Sequence, residues 1–274
     1  MNKISFHKME GAGNDFVVID NRNYGFTLDD IISFTPTLCD RKFGIGADGI
    51  LVLQPPFRDD VDYTMIYRNA DGSDAGMCGN GARCLAMFAF QFGFGSSQTF
   101  NVHDNVYEAE IHADNSVSIH FPVHVTVEAL NINSLSFLQA NAGTEHLIHF
   151  VDKDDLENEE DLRKTGKIIR YHESVDPPGT NVNFVHCDNS KQISLQTYER
   201  GVEDLTLACG TGALASAIAT HHRQHKNDSH GEYEIHVKGG TLKASFDFDE
   251  NAATYHQLIL SGPANFVFRG SITL

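Results

Sequence analysis

The sequence predicts an α/β protein of the α+β type, organised as two related domains. Two Cys-Gly segments, CGNGA at 78–82 and CGTGA at 209–213, lie 131 residues apart (209 − 78), and Tyr67 and Tyr198 each precede their cysteine by eleven residues. A match held at one offset is typical of an internal duplication. Between the two segments, short runs rich in β-branched and aromatic residues alternate with glycine-marked turns and a few apolar helical stretches. At 274 residues the chain is long enough for two domains of about 130 residues each.

The first half is predicted to be mostly strand. Alternating or continuous apolar runs bounded by Gly, Asn or Asp predict strands at 4–9, 16–20, 50–53, 63–67, 97–102, 106–112 and 117–121. Apolar residues at helical spacing predict helices at 29–39 and 79–92. Pro122 follows the last of these strands, so we expect a first domain at 1–121 and a second at 122–261.

The second half repeats this order. Strands are predicted at 146–151, 183–187, 193–198, 233–237, 241–248, 255–260 and 266–272. A charged helix is predicted at 154–167 and a second apolar helix at 210–222. The acidic run at the first of these helices is most simply an exposed helical face.

Composition excludes several classes of partner. The formal net charge is −17, from 37 acidic and 20 basic residues, which argues against nucleic-acid and acidic-membrane partners. No stretch is long and apolar enough to span a bilayer, and the N-terminal segment lacks the apolar core of a signal peptide. We therefore expect a cytoplasmic protein. Its five cysteines are an odd number in a long chain, so free thiols are predicted.

Cys78 and Cys209 each precede a predicted helix whose first residues are small. The first backbone N–H groups of a helix have no internal partner and bind anions, and they lower the pKa of a nearby thiol. Two such half-sites place one thiol on each side of a substrate carbon, which is the geometry for removing a proton from one face and returning one to the other. The N–H groups expected to hold a substrate carboxylate belong to Gly79, Asn80, Gly210 and Thr211.

Other patterns are weighed and set aside. GIGADG at 44–49 satisfies the spaced-glycine dinucleotide pattern, but a strand-like run follows it rather than a helix. His221, His222 and His225 put imidazoles at metal-ligand spacing, yet no third ligand accompanies them, so a solvated helix end is the preferred interpretation and no metal is predicted. Cysteines without the glycine context are predicted to be small core residues, and these are Cys39, Cys84 and Cys187.

Several segments, in order, carry a resemblance to a known family. They are EGAGNDFVVID, GIGADGILVL, NADGSDAGMCGNGARC, GTNVNF, YERGVEDLTLACGTGA and the closing KGG and GPA. Together they resemble diaminopimelate epimerase over essentially the whole chain. The resemblance implies a cofactor-independent isomerase that interconverts LL- and meso-diaminopimelate in lysine and peptidoglycan precursor biosynthesis. It implies two pseudo-symmetric domains, each of strands wrapped around a central helix, with the active site in the inter-domain cleft and the C-terminal strand, 262–274, returning to the first domain.

Roles at individual positions also follow from the resemblance. Cys78 and Cys209 match the family's two catalytic thiols, one acting as thiolate base and the other as thiol acid. Positions that match substrate-binding residues of the family are Asn14, Asn69, Gly79, Asn80, Asn181, Glu199, Arg200, Gly210 and Thr211. The guanidinium of Arg200 suits a distal carboxylate, because it can pair with it through two hydrogen bonds.

The chain departs from the family pattern at a few positions. Many members have His-Gly in place of Met9-Glu10, glutamine in place of Gly49, and Asn-Pro in place of Thr144-Glu145. The loop 202–207 is also one residue longer than in some relatives. These changes bear on substrate affinity and specificity and leave the thiol pair intact.

Three functions are therefore carried forward. The first is epimerisation of a small-molecule substrate, diaminopimelate, by two cysteines. The second is a proline-type racemase or related isomerase, against which Asn69, Asn181 and Arg200 argue because proline is too small to need them. The third is a non-catalytic binding or thiol-redox protein. The sequence is compatible with a homodimer, and oxidative joining of Cys78 to Cys209 is a further hypothesis.

Overall fold

The computed structural model describes residues 3–74, 76–175, 179–225 and 228–273. The strands of the first half are β1 (Lys3–Gly11), β2 (Asn14–Asp20), β3 (Gly49–Gln54), β4 (Tyr63–Asn69), β5 (Ser97–Val102), β6 (Asn105–Ile111) and β7 (Val117–Phe121). The later strands are β8 (Val127–Ile132), β9 (Leu135–Asn141), β10 (Glu145–Phe150), β11 (Asn181–Cys187), β12 (Gln192–Glu199), β13 (Asp204–Thr206), β14 (His230–Val237), β15 (Gly240–Asp249), β16 (Thr254–Gly262) and β17 (Asn265–Thr273). The helices are α1 (Leu28–Cys39), α2 (Gly79–Gln91), α3 (Lys153–Glu157), α4 (Glu159–Arg170) and α5 (Gly210–Gln224).

The chain divides into two compact units, 1–120 with 262–274 and 121–261. In the first unit the strands follow the order β17-β1-β2-β3-β4-β5-β6-β7. The pairs β2–β3 and β4–β5 are parallel and the others are antiparallel. The C-terminal strand β17 pairs with β1, from Lys3↔Thr273 to Glu10↔Asn265.

Helix α2 is the centre of the first unit. Its residues from Gly79 to Ala89 are buried, and it contacts β1, β2, β3, β4 and β6. Helix α1 packs on the other side of β3 and β4, where Ile31, Phe34 and Leu38 join a core cluster with residues of β1, β2 and β3. Every residue of β3 is buried because helices cover both of its faces.

The second unit has the same topology. Its strand order is β8-β9-β10-β11-β12-β14-β15-β16, with β10–β11 and β12–β14 parallel and the other pairs antiparallel. Helix α5 is buried from Gly210 to His221 and contacts β8, β9, β10, β11, β12, β14 and β15. Helices α3 and α4 cover the outer side, as α1 does in the first unit.

Strand pairing is the same in the two units at the level of single residues. Leu51 pairs with Tyr67 in the first unit, and Val182 pairs with Tyr198 in the second, so both members of the pair are displaced by the same 131 positions. This equivalence confirms a fold of two repeated α/β halves, each with strands around a buried helix.

The structure differs from the predicted elements at three places. The hairpin of β8 and β9 was not predicted, because its turn is made by Asn133 and Ser134, both at positive φ (48° and 68°), without the glycine that usually marks such a turn. The single helix predicted at 154–167 is two helices, since Asn158 leaves helical geometry at φ −85° and ψ 75°. The short strand β13 was also missed.

None of the helices in the described part of the chain combines the length and the apolar character that crossing a membrane requires.

Candidate active site

Cys78 and Cys209 occupy the same position in their units, at the residue that begins the central helix. Cys78 is the N-cap of α2 with φ −121° and ψ 115°, and Cys209 is the N-cap of α5 with φ −119° and ψ 114°. The Sγ of Cys78 accepts a hydrogen bond from the backbone N–H of Gly81 at 3.4 Å. Cys209 is buried, and its Sγ lies 3.7 Å from the Oγ1 of Thr211. Both thiols therefore lie at the positive end of a helix, where a thiolate is stabilised.

Two asparagine side chains of the first unit form a series of hydrogen bonds that begins in the first turn of α2. The Oδ1 of Asn80 accepts from the Nη2 of Arg83 at 2.7 Å, so its Nδ2 is the atom that donates to the Oδ1 of Asn14, at 2.5 Å. Asn14 in turn donates to Asp48 at 3.1 Å. Asn14 and Asn80, two predicted substrate-binding residues, are thus in direct contact with fixed orientations.

A group of ion pairs anchors that series of hydrogen bonds at its other end. Asp15 pairs with Lys8 at 2.6 Å and with Arg41 at 2.7 Å, and Arg41 also pairs with Asp48 at 2.7 Å. Lys8, which is buried, also donates to the carbonyl of Gly46. Burial raises the pKa of Asp15, but the hydrogen bonds from Arg41 and Lys8 outweigh it and hold that pKa at about 2.

The second unit supports Cys209 through neutral groups. Asn183 accepts from Thr197 at 2.8 Å through its Oδ1, so its Nδ2 donates to the Nδ1 of His146 at 3.0 Å. This contact leaves the imidazole proton on Nε2, which lies 3.0 Å from the Oγ1 of Thr211. The Oγ1 of Thr144 lies at the same distance of 3.0 Å from Nε2, so the imidazole can donate to either hydroxyl, and the Oγ1 of Thr211 also lies within hydrogen-bond distance of the Cys209 sulfur. Burial, and then the charge of Arg200, lowers the pKa of His146 to about 3, so the ring is neutral.

Asn181 and Thr144 connect the helix start to the turn after β12. The backbone N–H of Arg200 donates to the Oδ1 of Asn181 at 2.8 Å, so Asn181 donates through Nδ2 to the Oγ1 of Thr144 at 3.3 Å. That hydroxyl also lies 3.2 Å from the Oγ1 of Thr211. Thr144, one of the departures from the family pattern, is thus part of the same network. Glu199 is half-buried and ends β12.

Asn69, a further predicted substrate-binding residue of the first unit, and Gly49, a departure from the family pattern, lie at the adjacent ends of β4 and β3. Asn69 ends β4 and donates through Nδ2 to the Oγ of Ser73 at 3.1 Å. It pairs in register with Gly49. A Cβ on Gly49 would lie 2.4 Å from the carbonyl oxygen of Arg68 and 2.5 Å from the ring of Tyr67, so any larger residue at this position of this chain requires the neighbouring strand or Tyr67 to shift. The GIGADG segment is followed by strand β3 and not by a helix, so it is not arranged as a dinucleotide-binding motif.

The other three thiols lack this setting. Burial raises the pKa of Cys39 to about 12 and also raises the pKa values of Cys84 and Cys187. Cys39 and Cys84 are buried, as predicted, whereas Cys187 is only half-buried. Among the described residues no disulfide and no cluster of metal ligands is found.

The prediction of a solvated helix end at His221 is wrong. The residue is fully buried, with its Nδ1 3.2 Å from the hydroxyl of Tyr255 and its ring edge-on to Phe246. The sequence did not predict this burial because α5 is buried on all sides from Gly210 to His221, whereas a typical surface helix has one apolar face.

Sequence reasoning also missed three supporting residues, Arg83, His146 and Asn183. Comparing the two halves at the 131-residue offset is the signal that finds the first of them, because Arg83 stands opposite Leu214 in otherwise similar segments.

The family model for diaminopimelate epimerase matches residues 6–123 and 138–267. The chain belongs to the diaminopimelate epimerase family. It is 39% identical over 270 residues to a diaminopimelate epimerase of Flavobacterium psychrophilum, covering 98% of this chain and 100% of that protein. It is 37% identical to the diaminopimelate epimerase of Chlorobaculum tepidum, covering 97% of this chain and 100% of that protein. Membership makes the chain an amino-acid epimerase, an isomerase.

Solved structures share the fold of this diaminopimelate epimerase family member at low identity. A PhzF-family phenazine biosynthesis protein of Bacillus anthracis superposes with a TM-score of 0.78 at 11% identity, with all of both chains covered. A hydroxyproline epimerase of Agrobacterium vitis superposes with a TM-score of 0.72 at 13% identity, covering 99% of this chain and 93% of the other. These likenesses show the fold alone.

Proposed function

We propose that the protein interconverts LL- and meso-diaminopimelate with Cys78 and Cys209 as a thiolate–thiol pair and without a cofactor. The observation that carries the proposal is the equivalence of the two cysteines. Each is the N-cap of the buried central helix of its unit, with matching backbone dihedral angles, in a member of a family of amino-acid epimerases.

The chemistry is a proton transfer at each face of one carbon. The thiolate takes the α-proton, and the electron pair of the broken C–H bond delocalises into the substrate carboxylate. The second thiol then gives its proton to the opposite face, which inverts the stereocentre. The carboxylate must carry extra charge in the transition state, so hydrogen bonds that strengthen there accelerate the reaction. We assign those bonds to the N–H groups of Gly79, Asn80, Gly210 and Thr211.

Further contacts are assigned by their chemistry. Asn14 and Asn69 in the first unit, and Asn181 and Glu199 in the second, offer amide and carboxylate groups for the substrate's amino and carboxylate ends. Arg200 is assigned to the distal carboxylate, because a guanidinium pairs with it through two hydrogen bonds. These assignments make the domains 1–121 with 262–274 and 122–261 two half-sites of one enzyme. We also propose a cytoplasmic location and a role in lysine and peptidoglycan precursor biosynthesis.

The experiment uses the purified protein with LL-diaminopimelate in deuterated buffer, without pyridoxal phosphate or added metal. We expect the meso isomer to form with deuterium at the inverted α-carbon, observed by proton NMR. Cys78→Ser and Cys209→Ser should each severely reduce turnover. Near wild-type activity in either variant removes the mechanism. Absence of α-hydrogen exchange supports a binding protein instead, and racemisation of L-proline in place of LL-diaminopimelate supports the second candidate isomerase.

We propose that the protein forms a homodimer through β17. Large apolar side chains are exposed along this strand, with exposed fractions of 40% for Phe266, 55% for Val267 and 49% for Phe268. A run of exposed apolar side chains is unusual for a monomer and is covered when a second copy packs on it. Phe268→Asp should therefore halve the mass measured by light scattering. Phe57→Asp, at a residue exposed by 70% in a different region, should leave it unchanged. A monomeric wild-type protein contradicts the proposal.

A further inference from the structure

Arg83 is fully buried on the first turns of α2, five residues after Cys78. Its guanidinium donates to the carbonyl oxygen of Gly79 at 3.4 Å, to the Oδ1 of Asn80 at 2.7 Å and to the carbonyl oxygen of Pro263 at 3.3 Å. All three acceptors are uncharged. Within the described ranges, no carboxylate lies at ion-pair distance from it. A buried charge of this kind is costly unless another group compensates for it.

The charge persists because a guanidinium keeps its proton in proteins. Burial lowers the pKa of Arg83, and negative charge on Cys84, on Cys78 and on Glu10 raises it again. Cys84 does not supply that charge, because burial raises its own pKa and keeps it a neutral thiol. Glu10 is held at the end of β1 by Asn265 at 2.5 Å. Of the two thiols whose charge acts on Arg83, Cys78 is therefore the one whose ionisation Arg83 can stabilise.

Other charged groups on the elements packed against α2 have partners of their own or lie elsewhere on it. Lys8 and Asp15 form an ion pair, and Arg68 pairs with Asp74. His7 contacts the ring of Phe88, well along the helix from Cys78, and burial lowers its pKa. Strand β3 carries no titratable side chain. The remaining titratable residues on β2, β4 and β6 are Asp20, Tyr63, Tyr67, Tyr107, Glu108 and Glu110.

The second unit lacks this cation. Its equivalent position is Leu214, which is also fully buried, and the residue equivalent to Asn80 is Thr211. The Oγ1 of Thr211 lies 3.0 Å from the Nε2 of the neutral ring of His146. Each thiol therefore lies at the N-terminus of its own helix, but a buried arginine follows Cys78 and a buried leucine follows Cys209 at the equivalent position.

We infer that Arg83 is a positioning residue that stabilises the Cys78 thiolate, so that Cys78 is the base of the resting enzyme and Cys209 holds the proton. This assignment rests on the proposed two-thiol function. In the resting form Cys78 takes the α-proton and Cys209 gives up its own. Proton exchange between the thiols and solvent then restores the starting state.

The test measures the two thiols separately and without substrate, so it does not depend on epimerase activity. The protein is alkylated with iodoacetamide across pH 5 to 10, and the Cys78 and Cys209 peptides are quantified by mass spectrometry. In the wild type, alkylation of Cys78 should have a lower pH midpoint than alkylation of Cys209. Arg83→Gln should raise the Cys78 midpoint by about one pH unit or more, because loss of an adjacent opposite charge shifts a pKa by about that amount.

Control variants separate charge from structure. Arg83→Lys keeps the charge and should retain most of the low Cys78 midpoint. Leu214→Gln makes a matched polar change in the second unit and should leave the Cys78 midpoint in place. Glu10→Gln removes the carboxylate that acts on Arg83 and should lower the Cys78 midpoint, and this variant answers the question if Arg83→Gln does not fold.

Three results overturn the inference. They are an unchanged Cys78 midpoint in Arg83→Gln, an equal rise in the midpoints of both cysteines, and a wild-type midpoint for Cys78 above that of Cys209. If the protein shows the predicted alkylation pattern but no epimerase activity, the proposed function fails and the assignment of the thiolate stands.

Discussion

The duplicated helix starts allow one substitution to be tested twice in the same protein. Gly81 and Gly212 are equivalent, each three residues after its cysteine, yet their surroundings differ. A Cβ on Gly81 would meet Leu51 Cδ2 at 3.0 Å, which is the mobile end of an apolar side chain. A Cβ on Gly212 would meet the Oδ1 of Asn183 at 2.6 Å and the Sγ of Cys209 at 3.2 Å.

The magnitude follows from what must move. The Oδ1 of Asn183 would have to retreat by about 0.8 Å to reach an ordinary contact distance of 3.4 Å. That displacement strains the bonds of Asn183 to Thr197 (2.8 Å) and His146 (3.0 Å), both buried. A buried hydrogen bond contributes about 1 kcal/mol net, and an orphaned buried partner adds about 1 to 3 kcal/mol of desolvation cost. Replacing a helical glycine by alanine returns up to about 1 kcal/mol.

We therefore expect Gly212→Ala to lower the free energy of unfolding by about 2 kcal/mol, the sum of these terms. Gly81→Ala should change it by less than about 1 kcal/mol, because rotation of one leucine relieves the contact. The assay is urea unfolding followed by circular dichroism, with turnover of LL-diaminopimelate measured in parallel. Gly212→Ala should also lower turnover, since the Cys209 sulfur must shift. Equal stability of the two variants refutes the reasoning.

Three further outcomes are expected. Asp15→Asn leaves the buried ammonium of Lys8 without its carboxylate and should cost about 2 to 3 kcal/mol in urea unfolding, whereas Asp20→Asn, at a more exposed ion pair, should cost less than about 1 kcal/mol. His146 has a folded-state pKa of about 3, below its ordinary value of 6.5, so its contribution to stability is present above pH 6.5 and is lost as the pH falls toward 3. Between pH 7 and pH 5, the free energy of unfolding measured with urea should therefore fall by about 2 kcal/mol less in His146→Gln than in the wild type. Gly49→Ala places a methyl 2.4 Å from a backbone carbonyl that cannot rotate away, so thermal unfolding should begin well below the wild-type temperature.

Elements with strong local signals were predictable from the sequence. The runs that became β2, β3, β4 and the two central helices were found because apolar spacing and glycine punctuation mark them directly. The offset of the two Cys-Gly segments predicted equivalent helix starts. The β8–β9 hairpin was lost because Asn133 and Ser134 take positive φ values without glycine, which only the folded chain enforces.

The residues that support the thiols were less predictable. Asn183 and His146 lie on neighbouring strands and reach Thr211 only through the parallel pairing of β10 with β11. A sequence does not state which two strands are adjacent, so a contact across 37 residues has no local pattern. Arg83 is a different case, because burial of a charged side chain opposes the usual preference of arginine for the surface.

The proposed mechanism needs one thiolate and one thiol, which duplication of a half-site does not by itself assign. In the proposed mechanism a pair that is both thiol or both thiolate transfers no proton across the substrate. Identical, interacting half-sites would pass through a singly protonated state with the proton on either sulfur, so a difference between the units is what assigns the proton to one of them. The units differ in the residues next to the two cysteines. Asn80 and Arg83 follow Cys78 in the first unit, and Thr211 and Leu214 occupy the equivalent positions after Cys209 in the second. The glycines at the start of each helix are the same in both units. The shared helix start keeps the N–H groups that can hold an anion, and under our inference the differing residues next to each cysteine decide which sulfur carries the proton.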